Sequence, residues 1–290
     1  WSHAPVMCAS LSISASSAAK SDRLIVAFSI AIVASSMLFW VFPEVDLIVS
    51  RWFFSPDEGF LFSSDPNLQW LRKSSPWALA GVITFILVRI LGDAMNGALT
   101  LSRARKPIWL LFGLAFGPGL IVNGILKEFW GRPRPVNLDI FGGDAVHQMV
   151  WVISDWCDGN CSFVSGEASS SAWLVAAALV TPKKVRPYAT AITLIYAVSL
   201  SLNRIAFGGH FLSDVVLAWF ICGLIFSILY RLTLETAYPF CSDRSNAKQR
   251  RVEGRAGLEE FANSASTYQA HARNQKTIRK SNALSSRDVP

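Results

Sequence analysis

Charge is scarce in this chain. Only 16% of its 290 residues are Asp, Glu, Lys or Arg, against 52% hydrophobic residues. A soluble domain carries roughly 25% charge, so an ordinary water-facing surface is excluded. Histidine and cysteine are few, at four and five. Cys157 and Cys161 stand four apart, and no further Cys or suitably spaced His completes a zinc set around them. They are either a disulfide of an oxidising compartment or two unrelated thiols. No run of carboxylates suggests a bound cation, and neither a metal nor a cofactor is expected. No small-residue cleavage site follows the first apolar run, so no removed signal peptide is expected.

What is abundant is apolar sequence, including 11 Trp and 19 Phe, gathered into blocks. Crossing a bilayer takes ~20 mostly apolar residues. Six blocks qualify or come close: Leu24 to Phe42, Pro76 to Leu91, Pro107 to Leu126, Ala168 to Thr181, Pro187 to Leu202 and Ser213 to Leu232. The fourth is short and Ser-rich. It is expected to start a residue or two earlier and to be buried against neighbours, where small residues permit close helix contact. The expected fold is an all-α integral membrane bundle. Residues 1–23 would form a cytoplasmic lead, 24–232 the membrane domain and 233–290 a disordered tail. From Cys241 to Pro290 there are ten Lys or Arg against five Asp or Glu, which suits an anionic membrane face. No aromatic or folded module supports binding to nucleic acid.

Basic residues flank the blocks in alternation. Lys20 and Arg23 precede the first. Arg103, Arg105 and Lys106 join the second to the third, and Lys183, Lys184 and Arg186 join the fourth to the fifth. By the positive-inside rule these segments and both termini are cytoplasmic. Lys127, Arg132, Arg134 and Arg204 then fall on the outer face, against the rule. Cations placed there need another reason, and binding an anion is the simplest.

Three clusters share that face. The first is Lys127-x6-Arg134-Pro135, the second Ser165-Gly166-Glu167, and the third Arg204-x5-His210-x3-Asp214. Arg grips phosphate with two prongs and Lys supplies a point charge. Lys127 alone would read as a snorkelling residue at a span end. Ser165 and Gly166 open a helix, whose free N–H groups attract anions; a simple N-cap is the plainer role for Ser165. His210 and Asp214, four apart, share a face if a helix begins near His210, so Asp214 could hold one ring nitrogen and free the other for attack. The plainer reading is a capping Asp and a surface His. His147 is held in reserve as a proton carrier, while His3 and His271 lie in the polar termini.

These residues resemble the type 2 phosphatidic acid phosphatase family, whose pattern is Lys-x6-Arg-Pro, then Pro-Ser-Gly-His, then Ser-Arg-x5-His-x3-Asp. The first element matches in full, and the third matches with Asn203 in place of Ser. The second departs, because Glu167 stands where the family has its proton-donating His. The longer stretches Phe42-Pro43-Glu44-Val45-Asp46, Cys161 to Gly166 and Gly209 to Asp214 look most like the lipid A phosphatase branch of Gram-negative bacteria, particularly the 4′-phosphatases. The resemblance implies a six-span, metal-independent phosphatase at the periplasmic face of the inner membrane, acting on a lipid phosphate. In that scheme His210 attacks phosphorus, Asp214 orients it, and Glu167 replaces the acid. Lys127, Arg134, Arg204, Ser165 and Gly166 hold the phosphate. Glu167 as a mere cap would leave a slow enzyme or a lipid-phosphate binder without turnover. Undecaprenyl pyrophosphate or phosphatidylglycerophosphate phosphatases and lipid phosphotransferases share the scaffold. A transporter fits less well, because the ionisable groups sit at span ends.

Overall fold

The structure, a computed structural model, describes residues 4–235. The basic tail, His3 and His271 lie outside the described residues. Helix α1 (Ala4–Val41) leads to a short amphipathic α2 (Glu44–Arg51), a hairpin of β1 (Phe54–Ser55) with β2 (Gly59–Phe60), and α3 (Pro66–Met95). Helix α4 (Leu101–Leu114) widens into a π-helical stretch at Ala115–Leu126 and closes as a single turn, α5 (Lys127–Phe129). After a long segment with only two short 3-10 turns come α6 (Gly166–Leu179), α7 (Arg186–Ala206) and α8 (Leu212–Tyr230).

Among the described residues five helices are long and apolar enough to cross a membrane: Ala19–Val41, Pro66–Met95, Leu101–Phe129, Arg186–Ala206 and Leu212–Leu234. The remaining block, the fourth of the six expected, is α6, at 14 residues. It rises only about 21 Å, short of the ~30 Å hydrocarbon core. It starts at Gly166, two residues ahead of the apolar block, and is wrapped by the other helices. Trp173, Ser169 and Ser171 have no exposed surface. The Trp173 indole N–H donates to the Leu110 carbonyl oxygen at 2.7 Å, so a polar atom in an apolar interior is satisfied. Helix α8 is the most enclosed span and α3 the least, with 50% and 6% of their apolar windows buried. On α3, Trp70, Trp77 and Phe85 stand open, as lipid-facing side chains should. The protein is a mostly helical, multi-pass membrane protein, and among the described residues the small hairpin is its only sheet.

Three features differ from the hydropathy reading. Helix α3 begins at Pro66, not Pro76, because Asp65 Oδ1 accepts the Leu68 N–H at 2.9 Å and Pro66 fills the first turn. Pro76 then sits inside the helix. Helix α1 runs unbroken from Ala4, so no break occurs near residue 23. The hairpin strands, two residues each, are too short to leave an alternating pattern.

The π-helical stretch has a sequence cause. Pro118 has no N–H, and Gly117, Gly119 and Gly124 weaken the ladder around it. The Asn123 side-chain amide donates to the Pro118 carbonyl oxygen at 2.6 Å. The hairpin and the segment after α5 then pack together as a cap. Phe54, Phe60 and Phe141 pack edge-on with centroids 5.0 to 5.5 Å apart. They share a buried cluster with Phe211, the neighbour of His210.

Candidate active site

The third cluster sits at the junction of α7 and α8. Helix α8 begins at Leu212, so His210 precedes it and is not on its face. Arg204 ends α7, is 2% exposed, and folds back across the loop. Gly209 makes this possible: a Cβ there would lie 2.3 Å from Arg204 Nη2. Asn203, the family's Ser in other chains, donates from its amide to the Leu68 carbonyl oxygen at 3.0 Å and so ties α7 to α3.

His210 is fully buried. Its Nδ1 lies 2.8 Å from the Ser162 carbonyl oxygen. A carbonyl only accepts, so Nδ1 carries the proton and the Nε2 lone pair is left free. Nε2 has no hydrogen-bond partner. Burial is the largest influence on the ring and holds its pKa below the ordinary value, with Glu167 pulling the other way. The imidazole is thereby kept neutral, as a nucleophile must be.

Asp214 does not hold the ring as the spacing suggested. Its Oδ2 is 3.9 Å from Nδ1 and instead accepts from Ser162 Oγ at 2.5 Å and the Phe211 N–H at 2.9 Å. The reason is that His210 is outside the helix, so the four-residue spacing does not stack the two side chains. Asp214 acts one step away, fixing the Ser162 peptide whose carbonyl orients the ring.

Arg132 stands behind Asp214 with no exposed surface. Its guanidinium donates to Asp214 Oδ1 at 2.6 Å, Asp46 Oδ2 at 2.9 Å, Ser213 Oγ at 2.8 Å and the Gln148 carbonyl oxygen at 2.9 Å. It also lies 4.3 Å above the Phe211 ring. Asp46, on α2, takes the Ser213 N–H at 2.9 Å. Burial works against the Arg132 charge, but Asp214 and Asp46 outweigh it and raise its pKa. The anion that accounts for Arg132 is therefore a pair of carboxylates of the chain itself, not a ligand. Removing one partner of a buried pair costs about 3–5 kcal/mol. Arg132→Ala should accordingly lower the detergent-solubilised melting temperature sharply, with loss of turnover, whereas Asp46→Asn should do less because Arg132 keeps Asp214. A melting temperature for Arg132→Ala equal to the parent's would remove this network from the account.

The second cluster faces His210 from the start of α6. Ser165 is buried, its Oγ accepts the Ala168 N–H at 3.3 Å, and its own N–H is taken by the Asp214 carbonyl oxygen at 3.2 Å. It is thus the N-cap, and the amides of Gly166 and Glu167 remain as first-turn donors. Gly166 lets the π stretch approach: a Cβ would lie 2.7 Å from Asn123 Oδ1 and 3.4 Å from Lys127 Nζ. Lys127 is itself buried. Its charge interacts with Glu167, Arg134, Arg204 and Asp214. Arg134 is half-buried, and its Nη2 donates to the Asn160 carbonyl oxygen at 2.7 Å.

Glu167 closes the constellation. Its Oε1 is 3.3 Å from Arg204 Nε, and its Oε2 is 3.6 Å from His210 Nε2. A nucleophile must come within about 3–3.5 Å of its target, so Glu167 has to turn aside for a phosphoryl group to reach Nε2. At 24% exposure it has room to do so. Arg72, on α3, sits 3.9 Å from the same carboxylate. Sequence reasoning missed Arg72, although it is one more cation on the face where cations violate the charge rule. His147 is not brought to this group. Its ring packs 5.2 Å from Phe211, and burial, then Arg132, lower its pKa to about 4. It is unprotonated at neutral pH and poorly placed as a donor. The Cys157 and Cys161 sulfurs are bonded in the loop that precedes Ser162. Among the described residues no group of three or more His, Cys, Asp or Glu is arranged to hold a metal ion.

Comparison with known proteins places this arrangement. Residues 106–237 match the model of the PAP2 superfamily. A lipid A 4′-phosphatase of Rhizobium etli is 36% identical over 211 residues, covering 68% of this chain and 82% of that protein. A lipid A 4′-phosphatase of Francisella tularensis subsp. novicida is 32% identical over 212 residues, covering 67% and 90%. A crystal structure of a transmembrane PAP2-type phosphatidylglycerolphosphate phosphatase from Bacillus subtilis covers 71% of this chain and 93% of its own, with a TM-score of 0.45 and 18% identity. The chain belongs to the PAP2 superfamily, as a membrane-spanning phosphatase.

Proposed function

We propose that this protein removes a phosphate monoester from lipid A at the outer face of the bacterial inner membrane, through a phosphohistidine at His210. The observation that carries the mechanism is the His210 ring: Nδ1 is committed to the Ser162 carbonyl, and the unpartnered Nε2 faces Glu167 and Arg204. The Nε2 lone pair attacks phosphorus and the ester P–O bond breaks. The leaving sugar oxygen takes its proton from the Glu167 carboxyl group. Water then attacks the phosphohistidine, Glu167 takes back a proton, and the P–N bond breaks to release phosphate. Lys127, Arg134, Arg204 and the first-turn amides of α6 stabilise the charge on the equatorial oxygens, where it spreads in the transition state.

Burial alone would raise the Glu167 pKa, but His210, Arg204 and Lys127 outweigh it and hold the carboxyl well below its ordinary range. In this scheme the arriving phosphate dianion, which favours the protonated form, must bring the proton that Glu167 passes to the leaving oxygen. Lipid A is supported by the relatives, whose printed activity is that of lipid A 4′-phosphatases. The periplasmic face is supported by the basic loops on the other side and by the Cys157–Cys161 bond, which suits an oxidising compartment. The test is purified protein offered lipid A, phosphatidic acid, phosphatidylglycerophosphate and undecaprenyl pyrophosphate. Lipid A should give the highest kcat/KM, with loss of the 4′-phosphate. A preference for any of the other three would overturn the substrate assignment.

A further inference from the structure

Beside Arg134 lies an open cleft of about 680 Å³ that no step of the mechanism uses. We propose that it is a saccharide subsite, which seats the neutral, hydroxyl-bearing ring next to the phosphate under attack. The proposal rests on the phosphatase reading above and adds the residues that select the headgroup.

The lining has the chemistry of a sugar site. Trp156 is 46% exposed at its wall. The negative face of an indole attracts the polarised C–H groups on one side of a pyranose. Asn137, Asp144 and Asn160 also line the cleft. Their side chains make no hydrogen bond among the described residues. Two amides and a carboxylate supply donors and acceptors together, which neighbouring hydroxyls and an N-acyl group need. Asp144 disfavours a second anionic group here, so the occupant is the uncharged part of the headgroup. An acyl chain would leave these polar groups unpaired.

The walls are built firmly. The Ala145 N–H donates to the Asn137 carbonyl oxygen and the Asp139 N–H to the Ala145 carbonyl oxygen, both at 2.9 Å. Gly143 lies so close that a Cβ there would fall 2.2 Å from the Asn137 carbonyl oxygen. On the other side the Cys157–Cys161 bond fixes the loop that carries Trp156 and Asn160. Arg134 joins the two regions: it lines the cleft and shares in the field around Glu167. A phosphate held by Arg134 would therefore leave its sugar ring in the cleft.

The experiment compares parent, Trp156→Ala and Asp144→Asn on lipid A and on p-nitrophenyl phosphate. It also measures inhibition of aryl phosphate turnover by a soluble, phosphorylated glucosamine disaccharide. Trp156 and Asp144 are exposed, so both variants should fold. Each should raise KM for lipid A, and Ki for the disaccharide, about tenfold or more, with kcat nearly kept. KM for the aryl phosphate, which has no sugar, should move less than threefold. If the parent does not hydrolyse lipid A, the substrate reading fails, and the disaccharide Ki still decides the cleft. Equal shifts for both substrates, or no shift in Ki, would overturn the subsite.

Discussion

Glu167→Gln should slow turnover of the lipid substrate by ~10²–10⁴-fold, the usual worth of general acid catalysis, while binding phosphate at least as well as the parent. The two effects have one structural origin. The Glu167 carboxylate touches Arg204 at 3.3 Å and stands 3.6 Å from His210 Nε2. In the proposed mechanism it is both the acid that protonates the leaving oxygen and a negative charge that competes with phosphate for Arg204. Glutamine keeps the volume, gives no proton and removes the competition. Ki for inorganic phosphate should therefore fall while kcat falls, a combination that a purely structural role would not give. The kcat loss should shrink for an aryl phosphate, whose leaving group needs little protonation. Glu167→His should keep part of the activity, because it restores the residue that the wider family uses. A parent-like kcat for Glu167→Gln on a lipid phosphate would reduce Glu167 to a helix-capping residue.

His210→Ala should have the largest effect, a loss of ~10⁴-fold or more, as expected when a nucleophile is deleted from a concerted site. Because His210 is fully buried, the melting temperature must be read alongside. His210→Gln provides the second variant: it can still reach the Ser162 carbonyl, so it should fold and remain inactive. Activity should also persist to lower pH than an exposed histidine would allow, since burial lowers the His210 pKa and the ring loses its lone pair only when protonated. An acidic limb set at the ordinary histidine value would argue that the nucleophile is solvated, not enclosed.

The spans were legible because lipid demands long uncharged runs, which stand apart from the charged segments between them. Even the short α6 could be read from its Ser and Ala content. The start of α3 was not, because an Asp-Pro cap overrides the hydropathy edge. The cation cluster could be read because Lys127, Arg134 and Arg204 contradict the charge rule, yet Arg72, which breaks it in the same way, was not singled out. What the rule could not separate was Arg132 from Arg134. One is enclosed by carboxylates that lie 86 and 82 positions away in the chain, and the other opens on a cleft. Nor could spacing reveal the partner of His210. The Ser162 carbonyl comes from 48 residues upstream, and the four-residue step to Asp214 suggested a helix that starts two residues too late to align them.

In the proposed mechanism His210 Nε2 takes the phosphoryl group. Mixing the purified protein with ³²P-labelled lipid phosphate and quenching in alkali within the first turnover should leave label on the protein. That label should be stable in alkali, released by acid, map to His210, and be absent from His210→Gln. Label that survives acid, maps to another residue, or appears equally in His210→Gln would contradict the account.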